Sequence, residues 1–138
     1  MPAAAPDSHV DALQRIRTLL GPVGCIDAPE RMARFLTDFR GLYRGATPFV
    51  ACPASTNEVA QVLALCNAAR IAVVPQGGNT SYCGGATPSA RGDQLVLSLH
   101  RLNRIRAVDA ANFSLVAEAG CVLADVQAAA ADVDRLFP

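Results

Sequence analysis

The chain has 138 residues, about one domain, and 51% of them are apolar, enough for a real core. Lys+Arg and Asp+Glu both total 12, so the net charge is zero, and aromatics reach only 5% with no Trp. No basic face or stacking platform is implied, so nucleic acid is not an expected partner. The cysteines (Cys25, Cys52, Cys66, Cys83 and Cys121) are odd in number and form no C-x-x-C pair. Reduced thiols in a reducing cytosol are expected rather than a disulfide framework, and neither His9 nor His100 has the spacing of a zinc ligand, so no metal site is expected.

The start, Met1 to Pro6, is Ala/Pro-rich and lacks the charged region and long apolar run of a secretory signal, so it reads as a frayed tail. No stretch approaches a membrane span. Asp7 and Ser8 stand as N-cap candidates before a helix carrying Val10, Leu13, Ile16, Leu19 and Leu20, which Gly21-Pro22 ends. Pro29 is placed to open a short helix with Met32, Phe35, Leu36 and Phe39 on its apolar face. Asp38 and Arg40 then read as a surface turn with a weak ion pair. Residues 1–44 are thus expected to form an N-terminal helical segment, distinct from residues 45–138.

Pro48 to Cys52 is a short apolar segment expected as a strand. Ser55 to Glu58 has capping-box spacing before a helix with Val59, Val62, Leu63, Cys66 and Ala69 on one stripe. Ile71 to Val74 is a continuous, mostly β-branched run, expected as a buried parallel strand that completes a βαβ crossover. Gln94 to Leu99 is the next strand and His100 to Asn103 a turn. Ile105 to Val108 and Phe113 to Ala119 alternate as an antiparallel pair would. Val122, Val126, Ala129 and Val133 mark a final Ala-rich helix. His100 is expected at a surface turn, with nothing beside it that resembles a Ser/His/Asp or Cys/His arrangement.

The informative stretch is Val73-Val74-Pro75-Gln76-Gly77-Gly78-Asn79-Thr80-Ser81-Tyr82-Cys83-Gly84-Gly85. Two glycine pairs follow a strand, with small polar residues between them. Without a Cβ the backbone can turn sharply and another group can approach it. Successive N–H groups in such a turn form a concave anion site, and Thr80 and Ser81 add hydroxyl donors. The position is apt, because ligands of open α/β sheets gather at the carboxyl ends of strands. The two common nucleotide motifs, G-x-x-x-x-G-K-[ST] and Gly-x-Gly-x-x-Gly at a helix start, are absent.

With its flanks, Pro53 to Val59, Leu97 to Ile105 and Val116 to Leu123, this loop resembles the FAD-binding domain of the vanillyl-alcohol oxidase/PCMH superfamily. Within it the chain is most similar to the D-2-hydroxyglutarate dehydrogenase, D-lactate dehydrogenase and glycolate oxidase subunit group, which Thr37-Asp38-Phe39-Arg40-Gly41 also matches. The implied fold class is α+β: a FAD-binding PCMH-type domain, with its first βαβ subdomain (a small, mainly parallel sheet with helices) and the start of the second, antiparallel subdomain, truncated there. The resemblance implies that Gln76, Gly77, Gly78, Asn79, Thr80 and Ser81 wrap the FAD pyrophosphate, that Gly84 and Gly85 sit beside it, and that Gly120 lines the cofactor cleft.

Asn79 falls where covalently flavinylated relatives carry a His, which implies noncovalent FAD. Tyr82 and Cys83 replace small or apolar residues usual in the family. No catalytic acid or base is assigned; Asp38, Arg40, Glu118 and His100 are read as structural.

The apolar ending Leu136-Phe137-Pro138 reads as the interior of a longer chain. In that reading a missing C-terminal domain supplies the hydroxy-acid substrate site, the electron acceptor is open, the location is cytoplasmic, and the isolated piece self-associates. Two alternatives stand beside the hydroxy-acid oxidoreductase: a truncated, non-catalytic FAD or nucleotide-binding module, and a cell-wall precursor reductase or sugar-lactone oxidase of the same fold.

Overall fold

The computed structural model describes residues 6–138, with side chains from Ser8 onward. The expected frayed start lies outside these residues except for Pro6, which opens helix α1 (Pro6–Leu20). Asp7 and Ser8 therefore fall inside the first turn rather than ahead of it, and the Asp7 side chain lies outside the described residues. Gly21 ends the helix at φ 64°, its N–H donating to Arg17 O at 2.9 Å. The buried stripe is Ala12, Ile16 and Leu20, while Val10 faces out at 70% exposure. A short 3-10 turn then leads to β1 (Cys25–Ile26) and α2 (Pro29–Leu36), which starts on its proline and buries Met32 and Phe35.

β2 (Val50–Ala51) is shorter than the apolar segment that contains it. α3 (Thr56–Ala69) is capped as its sequence requires: Glu58 N–H donates to Ser55 Oγ at 3.1 Å, and the Glu58 carboxylate reaches back to Ala54 N–H at 2.7 Å. β3 (Ala72–Gln76) and β4 (Gln94–Ser98) complete a four-stranded sheet ordered β1-β2-β4-β3. β2, β4 and β3 run parallel, and β1 is antiparallel at the edge.

The β2–α3–β3 unit is the expected crossover between parallel strands of one sheet, with β4 standing between them. One expectation is corrected here: β3 is an edge strand with alternating burial, its Pro75 exposed. Proline lacks the N–H that a central strand needs, so the edge is where this run can sit. The fully covered strand is β4, with Leu95, Val96, Leu97 and Ser98 all at 2% exposure or less.

Two apolar clusters cover the sheet. α1 and α3 pack on one face, joining Ile16 and Leu20 to Phe49, Ala51, Val62, Cys66, Leu95 and Leu97. α2 packs on the other, joining Met32 and Phe35 to Ile26, Val50, Cys52 and Val96. Residues from both sides of position 45 thus contribute to both clusters. The buried Thr47 hydroxyl accepts from Val96 N–H at 3.2 Å and lies 2.8 Å from Gln94 O, pinning the approach to β2 against β4. All five cysteines are free, and burial pushes the Cys52 and Cys66 thiols up to about 11.

β5 (Ile105–Asp109) and β6 (Ser114–Ala117) form a separate antiparallel pair, with a register shift between Ile105 and Ala107. The second strand is shorter than expected because Phe113 takes φ 52° and belongs to the turn. α4 (Leu123–Ala131) follows and buries only Ala130. No helix among the described residues is long and apolar enough to cross a membrane.

Candidate functional site

The glycine-rich loop leaves the carboxyl end of β3 and returns into β4 over residues 77–93, a parallel connection made without a helix. Its first turn lies over the carboxyl end of α2. Side chains from the loop satisfy the carbonyls that a helix end leaves unpaired. Asn79 Nδ2 donates to Arg34 O at 3.0 Å and Thr37 O at 2.8 Å; Gln76 Nε2 donates to Phe35 O at 2.9 Å and Ala86 O at 2.8 Å. Gly45 N–H donates to Leu36 O at 2.8 Å. Asn79 sits at φ 55°, a left-handed conformation that asparagine tolerates better than most residues.

With the side chains turned toward α2, the backbone is left to face outward. Among the described residues, the N–H groups of Gly77, Gly78, Asn79, Thr80 and Ser81 donate no hydrogen bond. Space over the glycines is open. A Cβ added at Gly77 would meet only Ala119 O at 3.9 Å, at Gly78 only the Thr80 methyl at 3.7 Å, and at Gly85 nothing within 4 Å. Gln76, Gly77, Gly78 and Asn79 line a concavity of about 330 Å³ together with Arg34, Phe35, Ser98 and His100. Among the described residues, no carboxylate lines it. Gln76 Oε1 and Asn79 Oδ1 are buried acceptors without a partner.

The other expected residues have distinct places. Thr80 is exposed, and Ser81 Oγ accepts from Cys83 N–H at 3.3 Å. Gly84, at φ 70°, lies under the Tyr43 ring, where a Cβ would approach to 2.8 Å. Tyr82 packs edge-on against Phe39, with the Arg40 guanidinium 5.2 Å from its ring centre. Gly120 sits in the turn behind Gly77: a Cβ there would lie 1.9 Å from Leu99 O, so backbone contact demands glycine.

Asp38 and Arg40 do not form the expected ion pair. The Asp38 carboxylate is buried and accepts the N–H groups of Tyr43 (2.6 Å) and Arg40 (3.1 Å), which hold its pKa down. Phe39 is 69% exposed and lies beyond the end of α2. Glu118 is buried between Arg104 and Arg106, each 3.0 Å from Oε1, and these partners, Arg104 first, depress its carboxyl to about 2. His100 is exposed in its turn and shares a 2.9 Å hydrogen bond between Nδ1 and Ser98 Oγ. Partial burial, then Arg34 and Arg101, push its pKa down.

Sequence reasoning missed Arg34, Phe35 and Ser98. Only the register of β4 beside β3 brings Ser98 level with Gln76, and only the docking of α2 brings Arg34 and Phe35 to the rim.

Free N–H donors, a floor without Cβ atoms and the absence of carboxylates fit a diphosphate-bearing group such as FAD. Comparison with known proteins points the same way. Residues 47–138 match the family described as FAD binding domain. A probable mitochondrial D-2-hydroxyglutarate dehydrogenase of Oryza sativa is 38% identical over 113 residues, covering 82% of this chain and 20% of that one. The D-2-hydroxyglutarate–pyruvate transhydrogenase of Saccharomyces cerevisiae is 38% identical over 111 residues, covering 80% and 22%.

The chain therefore spans about a fifth of the length of these curated relatives. Among solved structures, p-cresol methylhydroxylase superposes with a TM-score of 0.77 at 20% identity, over 94% of this chain and 25% of that one. Alkyldihydroxyacetonephosphate synthase superposes at 0.76 and 16% identity, over 89% and 25%. The fold is that of PCMH-type domains, and the chain belongs to the FAD binding domain family.

Proposed function

We propose that the chain is the N-terminal part of an FAD-dependent oxidoreductase that oxidises a D-2-hydroxy acid of the 2-hydroxyglutarate, lactate or glycolate type. The observation that carries the reading is the run of five unpartnered backbone N–H groups from Gly77 to Ser81 above a floor of glycines. When bound, FAD supplies the redox chemistry by accepting a hydride from the substrate carbon. The residues of this chain hold and orient it. Gly77 to Ser81 donate backbone hydrogen bonds to its phosphates, Gly85 allows close approach, Gly84 seats the Tyr43 ring beside the loop, and Gln76 and Asn79 fix the loop through α2. Gly120 closes the cleft from the β6 side.

Attachment is noncovalent: Asn79 offers an amide already engaged with two carbonyls, not a nucleophilic ring nitrogen. Residues 45–138 are the FAD-binding portion and residues 1–44 the N-terminal segment that completes its core. A cytoplasmic location is our reading of the five free thiols, although the rice relative is named as mitochondrial. No residue here is assigned as catalytic acid or base, so the 138 residues alone are expected to be inactive; the substrate site belongs, in this reading, to sequence outside them, and the electron acceptor stays open.

Two observations test this. The chain extended to the relatives' length is expected to purify yellow and to bleach anaerobically with D-2-hydroxyglutarate, D-lactate or glycolate. A colourless preparation that takes up no added FAD would sink the reading. The alternative, a non-catalytic FAD-binding module, predicts a genuine stop after the codon for Pro138. A yellow extended protein that ignores all three acids while reacting with other substrates would favour another oxidase or reductase of the same fold.

A further inference from the structure

Resting on the reading of the loop as a diphosphate cradle, we propose that Arg34 is a ligand-binding residue whose guanidinium forms the second wall of that cradle and contacts the phosphate oxygens held on Gly77 to Ser81. Arg34 lies 43 positions before Gly77 in the sequence, yet both line the same concavity. Its charge has no carboxylate partner: the ion pairs among the described residues engage Arg15, Arg17, Arg91, Arg104 and Arg106. The guanidinium is seated 4.6 Å from the centre of the Phe35 ring, and Phe35 is itself 5% exposed. A stacked guanidinium keeps its fork of donors while losing rotamer freedom in advance of binding.

The backbone is fixed too. Arg34 O accepts the Asn79 amide at 3.0 Å, so the residue that carries the charge is tied to the loop that carries the free N–H groups. A buried acceptor without a partner, Gln76 Oε1, lies in the same wall, on a side chain 1% exposed. A bound molecule bearing phosphate oxygens would satisfy the Arg34 guanidinium and the free N–H groups together. Arg34 sits in the last turn of α2, where a cation also complements the helix dipole. A purely structural role of that kind would change stability and leave anion affinity alone.

The test is calorimetric titration of the flavin-stripped chain, extended to the relatives' length, with FAD, and separately with inorganic pyrophosphate as the minimal probe, at low and moderate salt. Arg34→Gln keeps much of the stem over Phe35 and removes the charge. It is expected to weaken both ligands about tenfold or more at low salt, and to flatten the salt dependence. Arg34→Lys is expected to recover part of the loss. Arg31→Gln, on the same helix but outside the concavity, is expected to stay within about twofold. Equal affinity for wild type and Arg34→Gln overturns the assignment while leaving the cradle standing, as does an equal loss in Arg31→Gln. A wild-type chain that binds neither ligand overturns the cradle and the assignment together.

Discussion

The four-stranded sheet and the β5–β6 hairpin with α4 are built from similar apolar residues, yet only the first is covered. β4 is buried along nearly its whole length, with α1 and α3 on one face and α2 on the other. In the second region Val108, Phe113, Val116, Val122, Leu123, Leu136 and Phe137 are all at least 36% exposed. An alternating pattern tells a strand which face is apolar; it does not supply what packs there. The hairpin of this chain has its pattern without its cover, and self-association through these exposed residues is the expected behaviour of the isolated chain.

Paired substitutions sharpen this contrast. Phe49 is wholly buried with the Arg17 guanidinium 4.1 Å from its ring centre, so Phe49→Ala is expected to cost about 3–5 kcal/mol by urea unfolding. Val116→Ala, at a site 53% exposed, should stay within about 0.5 kcal/mol. Comparable losses would mean that the hairpin is packed in solution. A smaller effect is expected where the two regions meet. Gly120→Ala drives a Cβ onto Leu99 O and is expected to cost about 1–3 kcal/mol, whereas Gly85→Ala enters open space and should leave the unfolding midpoint unchanged.

A pH-dependent effect is confined to the acid range. Glu118 is depressed from 4.5 to about 2 in the folded chain by its arginine partners. A lowered folded pKa stabilises above the unfolded value and is lost as pH falls through the folded one. The stability difference between wild type and Glu118→Gln should therefore be full at pH 6 and shrink between about pH 4.5 and 2. A difference that stays constant across that window would show that the Arg104–Glu118–Arg106 cluster does not hold the turn.

Local signals were legible in the sequence wherever the partners were close along it. Ser55 and Glu58 announced the start of α3, Gly21 the end of α1, and the glycine pairs the turn after β3. Long-range placement was not legible. Nothing in Ile71 to Val74 says that β4 will stand between it and β2, and Pro75 was the one hint that β3 is an edge. The site behaved the same way. Its backbone donors followed from Gly77, Gly78 and their neighbours, but Gln76 and Asn79 turned out to cap α2, across 41 and 42 residues. Asp38 was misjudged because a short carboxylate can satisfy backbone N–H groups in its own turn, which residue type alone does not separate from a surface ion pair.

The strand order has a consequence for how the chain reaches this fold. β2 and β3 have no native pairing with each other, because the slot between them belongs to a strand that comes later. During synthesis both edges of that slot stay open until residue 98 has emerged, and the last arrival must find two partners at once. Such non-local pairing is slow and leaves unpaired strand edges exposed in the interim. The rate at which β4 docks, more than the stability it confers, sets how long the nascent chain depends on protection from its neighbours.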